Sequence, residues 1–223
     1  MKDPSKSVGH RVLEIIIEIC IIVFAVSLSI WLHGRSEYAK EQAEVKEFLL
    51  GLKDDLNQTI KSCKDDISVY EECKLRYSYL SSVKRSGKPD KDTLNKYFSE
   101  ITSNPVLSIN SSRYEGFKSS GKLEGIENKK LLSDILNFFQ GDIPDMQGSI
   151  RGWNSLRLEL VAMTIDKLVD NDDGTDNRIE FLTIPKVHNL CKRLIPWDQL
   201  FEMHQVVIRS AGNIVAQIDR EYK

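Results

Sequence analysis

The chain has 223 residues, with 31 Lys and Arg against 33 Asp and Glu, a formal net charge of -2. That balance leaves no basic footprint for nucleic acid, and 8% aromatic with 29% charged residues excludes a wholly disordered chain. The length accommodates one domain or two small ones.

The first element is apolar. From Val12 to Leu32 the only charged residues are Glu14 and Glu18. These 21 residues make about 31 Å of helix, enough for a hydrocarbon core of ~30 Å. Trp31 stands where an interfacial aromatic belongs, with Arg35 in the polar region beyond. A cleaved signal peptide would end near Ala25-Val26-Ser27, but the apolar run continues past that cut through Leu28, Ile30, Trp31 and Leu32. The expectation is one transmembrane helix over 12–33, after a short cytoplasmic tail of residues 1–11. Three basic residues precede it (Lys2, Lys6, Arg11) and three follow (Arg35, Lys40, Lys46), so the positive-inside count is tied. The free amino terminus and the large following domain favour N-in. Residues 36–223 then lie outside the cytoplasmic (inner) membrane.

Glu14 and Glu18 are four residues apart and share a helix face. A carboxylate at the bilayer centre costs roughly 2.5–3.5 kcal/mol on insertion scales, and less near the interface. Glu14 is close enough to the boundary to snorkel, whereas Glu18 is a turn deeper. Three readings follow. Both side chains reach headgroups or take up a proton, or their face packs against other helices of a homo-oligomer or a membrane-protein partner. In the third, Glu18 relays protons together with a second subunit. Ser27 and Ser29 can add interhelical hydrogen bonds, so Glu14, Glu18, Ser27 and Ser29 form the candidate intramembrane polar face.

No proline interrupts residues 34–88. Val45, Leu49, Leu52, Leu56, Ile60, Cys63, Ile67, Tyr70, Tyr77 and Leu80 recur at steps of three and four, which predicts a long amphipathic helix. Charges, Asp65 and Asp66 among them, are assigned to the other faces. Lys74 falls on the apolar seam and argues against an uninterrupted coiled coil, so a helical hairpin is preferred.

Residues 89–223 are expected to complete a helical bundle on this arm. Gly87-Lys88-Pro89-Asp90 is a break, and Asp92 is placed as the cap of a short helix reaching Ile101. Asn110 or Ser111 starts the next helix, which Gly121 ends in the left-handed conformation. Asn128 caps KKLLSDILNFFQ, and Pro144 is read as a kink rather than a stop. From Trp153 a helix carries Leu156, Leu160, Met163, Ile165 and Leu168. Residues 170–177 form an acidic loop, and Ile179 to Leu182 is either extended or a helix ending before Pro185. The last helix, about Trp197 to Tyr222, sets Leu200, Met203, Val207, Ala211, Ile214 and Ile218 on one face. The predicted fold is all-α.

The segment EICIIVFAVSLSIWLHGRSE, Glu18 to Glu37, resembles the anchor of a family of Bacteroidota single-pass membrane proteins known only as a domain of unknown function. Here Ile17 stands where that family has Gly, and Trp31 comes earlier than the family's Trp. Tyr114 to Gly121, followed by Ile126 to Leu131, is similar to the family's Leu-Lys-Ser-Ser-Gly helix end and the capped helix after it. The resemblance covers about the first 140 residues. It implies an all-helical extracytoplasmic domain and brings no catalytic residues.

Motifs that carry chemistry are scarce. The four histidines, His10, His33, His188 and His204, make no H-E-x-x-H, and there is no P-loop, G-x-S-x-G or G-x-G-x-x-G. His188-x-x-Cys191 is a weak start for a zinc site that His204 would have to complete. If Gly174 were the sixth residue of a calcium loop, Asn171, Asp173 and Glu180 would take the third, fifth and twelfth places. Val169 would then hold the first place without an oxygen ligand, so a solvated acidic turn is preferred. Cys63 and Cys73 lie about 15 Å apart along one helix and cannot pair.

The sequence therefore points to a non-enzymatic interaction or structural protein with no cofactor. Its partners would be the lipid bilayer and either copies of itself or an envelope membrane protein. The alternatives are an oligomeric effector that forms a pore or perturbs the bilayer, and a subunit of a proton-driven complex. A stand-alone receptor is disfavoured, because eleven residues before the span leave no room for an output domain.

Overall fold

A computed structural model describes residues 8–101, 109–169, 171 and 175–222. Helix α1 (Val8–Ser82) is one continuous element of 75 residues, about 112 Å at the helical rise. Its apolar N-terminal part is the one helix, among the described residues, long and apolar enough to cross a membrane. From Val12 to Glu41 every side chain is exposed. Burial starts at Val45, where the rest of the chain wraps the rod.

The remaining helices are α2 (Lys91–Ser99), α3 (Ser112–Ser119), α4 (Lys129–Asn137), α5 (Ile143–Lys167), α6 (Arg178–Leu182), α7 (Pro185–Arg193) and α8 (Asp198–Glu221). A π-turn at Phe138–Asp142 joins α4 to α5 without a break. There the Ile143 N–H bonds to the Phe138 carbonyl, five residues back. Pro144 has no N–H for the Gln140 carbonyl and needs room beside it, which the wider turn supplies. The proline is thus an internal adjustment of a long helix, as expected.

The body is a three-helix bundle. α8 runs antiparallel to α1, since Lys53 pairs with Asp219 at 2.5 Å while the Tyr70 ring meets Phe201. The α4–α5 rod runs parallel to α1. At its start the Gln42 amide donates to the Gly125 carbonyl at 3.0 Å, and farther on the Trp153 edge meets Tyr70 and Tyr77. Two apolar clusters fill the body. The one nearer the apolar segment joins Leu49, Leu52, Leu56, Ile135, Phe138 and Ile214; the distal one joins Tyr77, Leu80, Trp153, Leu160, Phe181 and Leu190.

Short helices seal the flanks. Phe117 of α3 stacks on Phe48 with centroids 3.9 Å apart, and Arg113 reaches Asp55 at 2.9 Å. Gly51 leaves room for the Arg113 guanidinium, which would have to move aside from a Cβ placed there at 2.4 Å. Gly121 ends the α3 segment at φ 73°, and Asn128 caps α4 by accepting from the Leu131 N–H at 3.1 Å. Both were expected.

Other expectations are corrected. α1 ends at Ser82, ahead of the Gly87–Pro89 break. Asp90 rather than Asp92 caps α2, accepting from the Thr93 N–H at 2.8 Å. Beyond Leu56 the buried line of α1 runs Thr59, Cys63, Asp66, Tyr70, Cys73 and Tyr77, one residue earlier than the line through Ile60, Ile67 and Lys74. The buried seam keeps a strict seven-residue repeat from Val45 to Leu80, and the expected line left it after Leu56 by taking the apolar Ile60 and Ile67 in place of Thr59 and Asp66. Lys74 is consequently exposed, with its ammonium over the Phe201 ring. Ile165, drawn on the apolar face of α5, is 80% exposed. α7 is a helix that the sequence reading passed over.

Candidate functional site

Helical geometry sorts the four residues of the proposed intramembrane face. Glu14, Glu18 and Ser29 fall along one side of α1, because four and eleven residues are close to whole numbers of turns. Ser27 lies nine residues from Glu18, two and a half turns away, on the opposite side. Ala25 and Ser29 stand on the Glu18 side and form a small-xxx-small pair, a spacing that lets helix backbones approach in membranes. Glu18 is exposed, and its carboxylate has no hydrogen-bond or ion-pair partner among the described residues. At the exit of the span the Arg35 guanidinium covers the Trp31 ring at 5.5 Å, and His33 reaches Glu37 at 3.2 Å. The first ties between rod and bundle follow at once, Tyr38 to Glu127 and Gln42 to Gly125. The base of the bundle thus sits within a few helical turns of the apolar segment.

A second polar site, missed in the sequence, lies inside the bundle. His204 is wholly buried and Asp66 nearly so, on facing sides of α8 and α1. The His204 Nδ1 lies 2.7 Å from the Leu200 carbonyl, which fixes the ring and turns Nε2 toward Asp66. Nε2 and Asp66 Oδ2 stand 3.9 Å apart, too far for a hydrogen bond, and neither atom has another partner. Burial pushes the Asp66 carboxyl above the usual carboxylate range; His204 opposes that and Asp65 adds to it. The Tyr70 ring closes one side of the imidazole, with centroids 5.4 Å apart. Cys63 is buried on the same α1 line, and its thiol is pushed up to about 12, mainly by burial and then by Asp66.

Arg76 is also buried, ion-paired to Glu100 and donating Nη1 to the Cys73 sulfur at 3.8 Å. These groups are isolated polar islands in apolar packing. The open groove at the base, lined by Glu127, Lys130, Gln217 and Arg220, mixes both signs of charge. Gln217 is held there by Asp134 at 2.7 Å.

The calcium-loop candidates do not converge among the described residues. The Asn171 amide donates to Thr175 Oγ1 at 2.9 Å, Glu180 is exposed on α6, and Asp173 lies outside the described residues. Nor does His204 join His188 and Cys191: its Nδ1 is held at the Leu200 carbonyl and its Nε2 faces Asp66. Among the described residues no group of three His, Cys, Asp or Glu side chains could hold a metal ion. All four cysteines are free, with Cys63, Cys73 and Cys191 buried and Cys20 exposed.

The chain matches no known protein family, no curated protein and no solved structure. The resemblance noted above stands on residues 18–37 and 114–131 alone.

Proposed function

We propose that the protein is a single-pass, membrane-anchored helical scaffold that assembles through its anchor, with itself or with an envelope membrane protein. The observation that carries this reading is Glu18. Its carboxylate sits exposed in an apolar segment, lacks a partner among the described residues, and shares a face with Ala25 and Ser29. A polar group placed in hydrocarbon is stabilised by a neighbouring helix, and small residues on the same face allow that helix to come close. The continuity of α1 supports the same reading, since association of anchors would be transmitted along one rod into the bundle. The orientation proposed is N-in across the cytoplasmic membrane, with the bundle outside.

The test is native mass spectrometry of the detergent-extracted full chain. Oligomers or a stoichiometric membrane partner are expected, and a monodisperse monomer without partner overturns the proposal. Dye leakage from vesicles holding the purified protein would instead favour a pore-forming effector.

A further inference from the structure

At the distal end of the bundle, the turn that follows α1 meets the start of α7 around a cavity of about 500 Å³. Lys84 and Arg85 line one wall, and Thr183, Pro185, His188 and Asn189 the other. No acidic side chain lines it. The groove that holds Lys130 and Arg220 carries Glu127 and Glu221 as well, and the cleft that holds Arg113 and Lys122 carries Glu44 and Glu47. A chain of net charge -2 gives no general reason for bases to gather without acids.

The surroundings leave these bases available. Among the described residues the side chains of Lys84, Arg85, His188 and Asn189 have no hydrogen-bond or ion-pair partner. Thr183 spends its hydroxyl on the Glu180 carbonyl at 2.9 Å, and Lys186 is engaged by Glu159 at 2.7 Å. The Asp90 carboxylate accepts from the Thr93 N–H at 2.8 Å. Pro185, His188 and Asn189 share one side of α7 at steps of three and four. His188 is half-buried there, whereas Cys191, the other half of the motif weighed for zinc, is wholly buried. The negative end of a long helix favours a cation just past Ser82. That accounts for Lys84 or Arg85, and not for a further basic side chain on the opposite wall.

We infer that this cavity binds the phosphate group of a small soluble ligand. Cations lining a recess concentrate their field within it. Arg85 offers paired N–H donors that match two oxygens of one anion, and Lys84 a compact charge. His188 and Asn189 supply donors from the facing wall. Donors arriving from two sides suit a tetrahedral group better than a flat carboxylate. The volume falls within the roughly 300–1,000 Å³ of small-molecule sites, which favours a soluble molecule over the surface of a second bilayer. The site lies within one chain and is independent of how the anchors assemble.

The experiment titrates inorganic pyrophosphate into the detergent-solubilised full chain by calorimetry, at low and high salt. One equivalent per chain is expected, with affinity falling as salt rises and the unfolding midpoint rising with ligand. Arg85→Glu, and Lys84→Ala combined with His188→Gln, should each weaken binding by an order of magnitude or more. The midpoint of the ligand-free chain should not move. Lys64→Glu makes the same change of charge as Arg85→Glu at an exposed position on α1, and should leave the affinity unaltered. No binding by the parent overturns the site, as do equal losses in Arg85→Glu and Lys64→Glu, which would show attraction by net charge alone. Citrate, of similar charge, should bind far more weakly; equal affinity overturns phosphate as the group. Neutral vesicles carrying the chain should not capture vesicles that contain phosphatidic acid. Capture that Arg85→Glu abolishes would make a lipid headgroup the ligand and overturn the soluble one.

Discussion

His204 Nε2 and Asp66 Oδ2 face each other across 3.9 Å inside the bundle, and neither atom makes a hydrogen bond. A pair held so costs stability on both sides, and removing one member strands the other. His204→Leu alone is expected to destabilise the fold by about 1–3 kcal/mol, the usual penalty for an orphaned buried polar group. The double variant Asp66→Leu with His204→Leu should recover most or all of that loss, because apolar pairs often replace buried ion pairs without penalty. Chemical denaturation of the parent, the two single variants and the double variant checks the cycle. A double variant as unstable as the sum of the singles would show that the two groups are not coupled.

Stability should also follow the Asp66 carboxyl. Burial raises its folded value above the ordinary carboxylate range, with Asp65 pushing the same way and His204 opposing. Between the unfolded and folded values the native chain therefore holds more protons than the unfolded one, so stability falls as pH rises through that window. Cys63 and Tyr70, the other titratable groups nearby, are themselves pushed upward by burial and stay neutral there. Thermal unfolding from pH 4 to 7 should show the parent losing stability relative to Asp66→Asn as pH rises. A flat difference would place the carboxyl in contact with water.

The helical character of the chain was legible because its long elements carry their own period. Leu200, Val207, Ala211, Ile214 and Ile218 were drawn on the buried face of α8 and are all wholly buried. The polar pair was not legible. Asp66 adjoins Asp65 in a charged stretch, and the apolar Ile67 beside it drew the expected line off the seven-residue repeat of Val45, Leu52, Thr59, Asp66 and Cys73 that turns it inward. His204 neighbours Met203, which offered a plausible apolar substitute on the same face. α7 had a signal that went unused: Pro185 at its start, Val187, Leu190, Cys191 and Leu194 at helical steps, and Lys192 and Arg193 in the last turn. The π-turn also left a trace, since the buried line steps by five from Phe138 to Ile143 where three or four would continue an α-helix.

Val207 tests the packing of α8 on α1. It is wholly buried in the cluster nearer the apolar segment, so Val207→Asp sets a carboxylate among apolar side chains. A loss of several kcal/mol is expected, read as a large drop in the unfolding midpoint of the detergent-solubilised protein. An unchanged midpoint would put α8 on the surface.

Thiol reactivity should divide sharply. Cys191, like Cys63, is pushed up to about 12 by burial, and Cys73 is raised by the same cause. A thiol that is both protonated and enclosed is a poor nucleophile. In the folded, detergent-solubilised chain a maleimide should label Cys20 alone, with the other three reacting only in denaturant. Mass spectrometry counts the adducts. Rapid labelling of Cys73 or Cys191 in the native protein would show that the distal cluster opens readily.

The anchor gives the sharpest test, because insertion and association pull in opposite directions. Glu18→Leu removes a group that hydrocarbon disfavours, so membrane yield should equal or exceed that of the parent. If the carboxylate bonds across helices, the same change removes that bond and weakens association by about 0.6–1.7 kcal/mol, the measured span for polar contacts between membrane helices. Ser27→Ala, on the opposite side of α1, should leave association unchanged, while Ser29→Leu should weaken it by keeping the backbones apart. Cross-linked fraction and membrane yield, measured together for the three variants, separate the cases. Better insertion with weaker association marks Glu18 as an interface residue. Better insertion with unchanged association would leave a carboxylate that snorkels or takes up a proton.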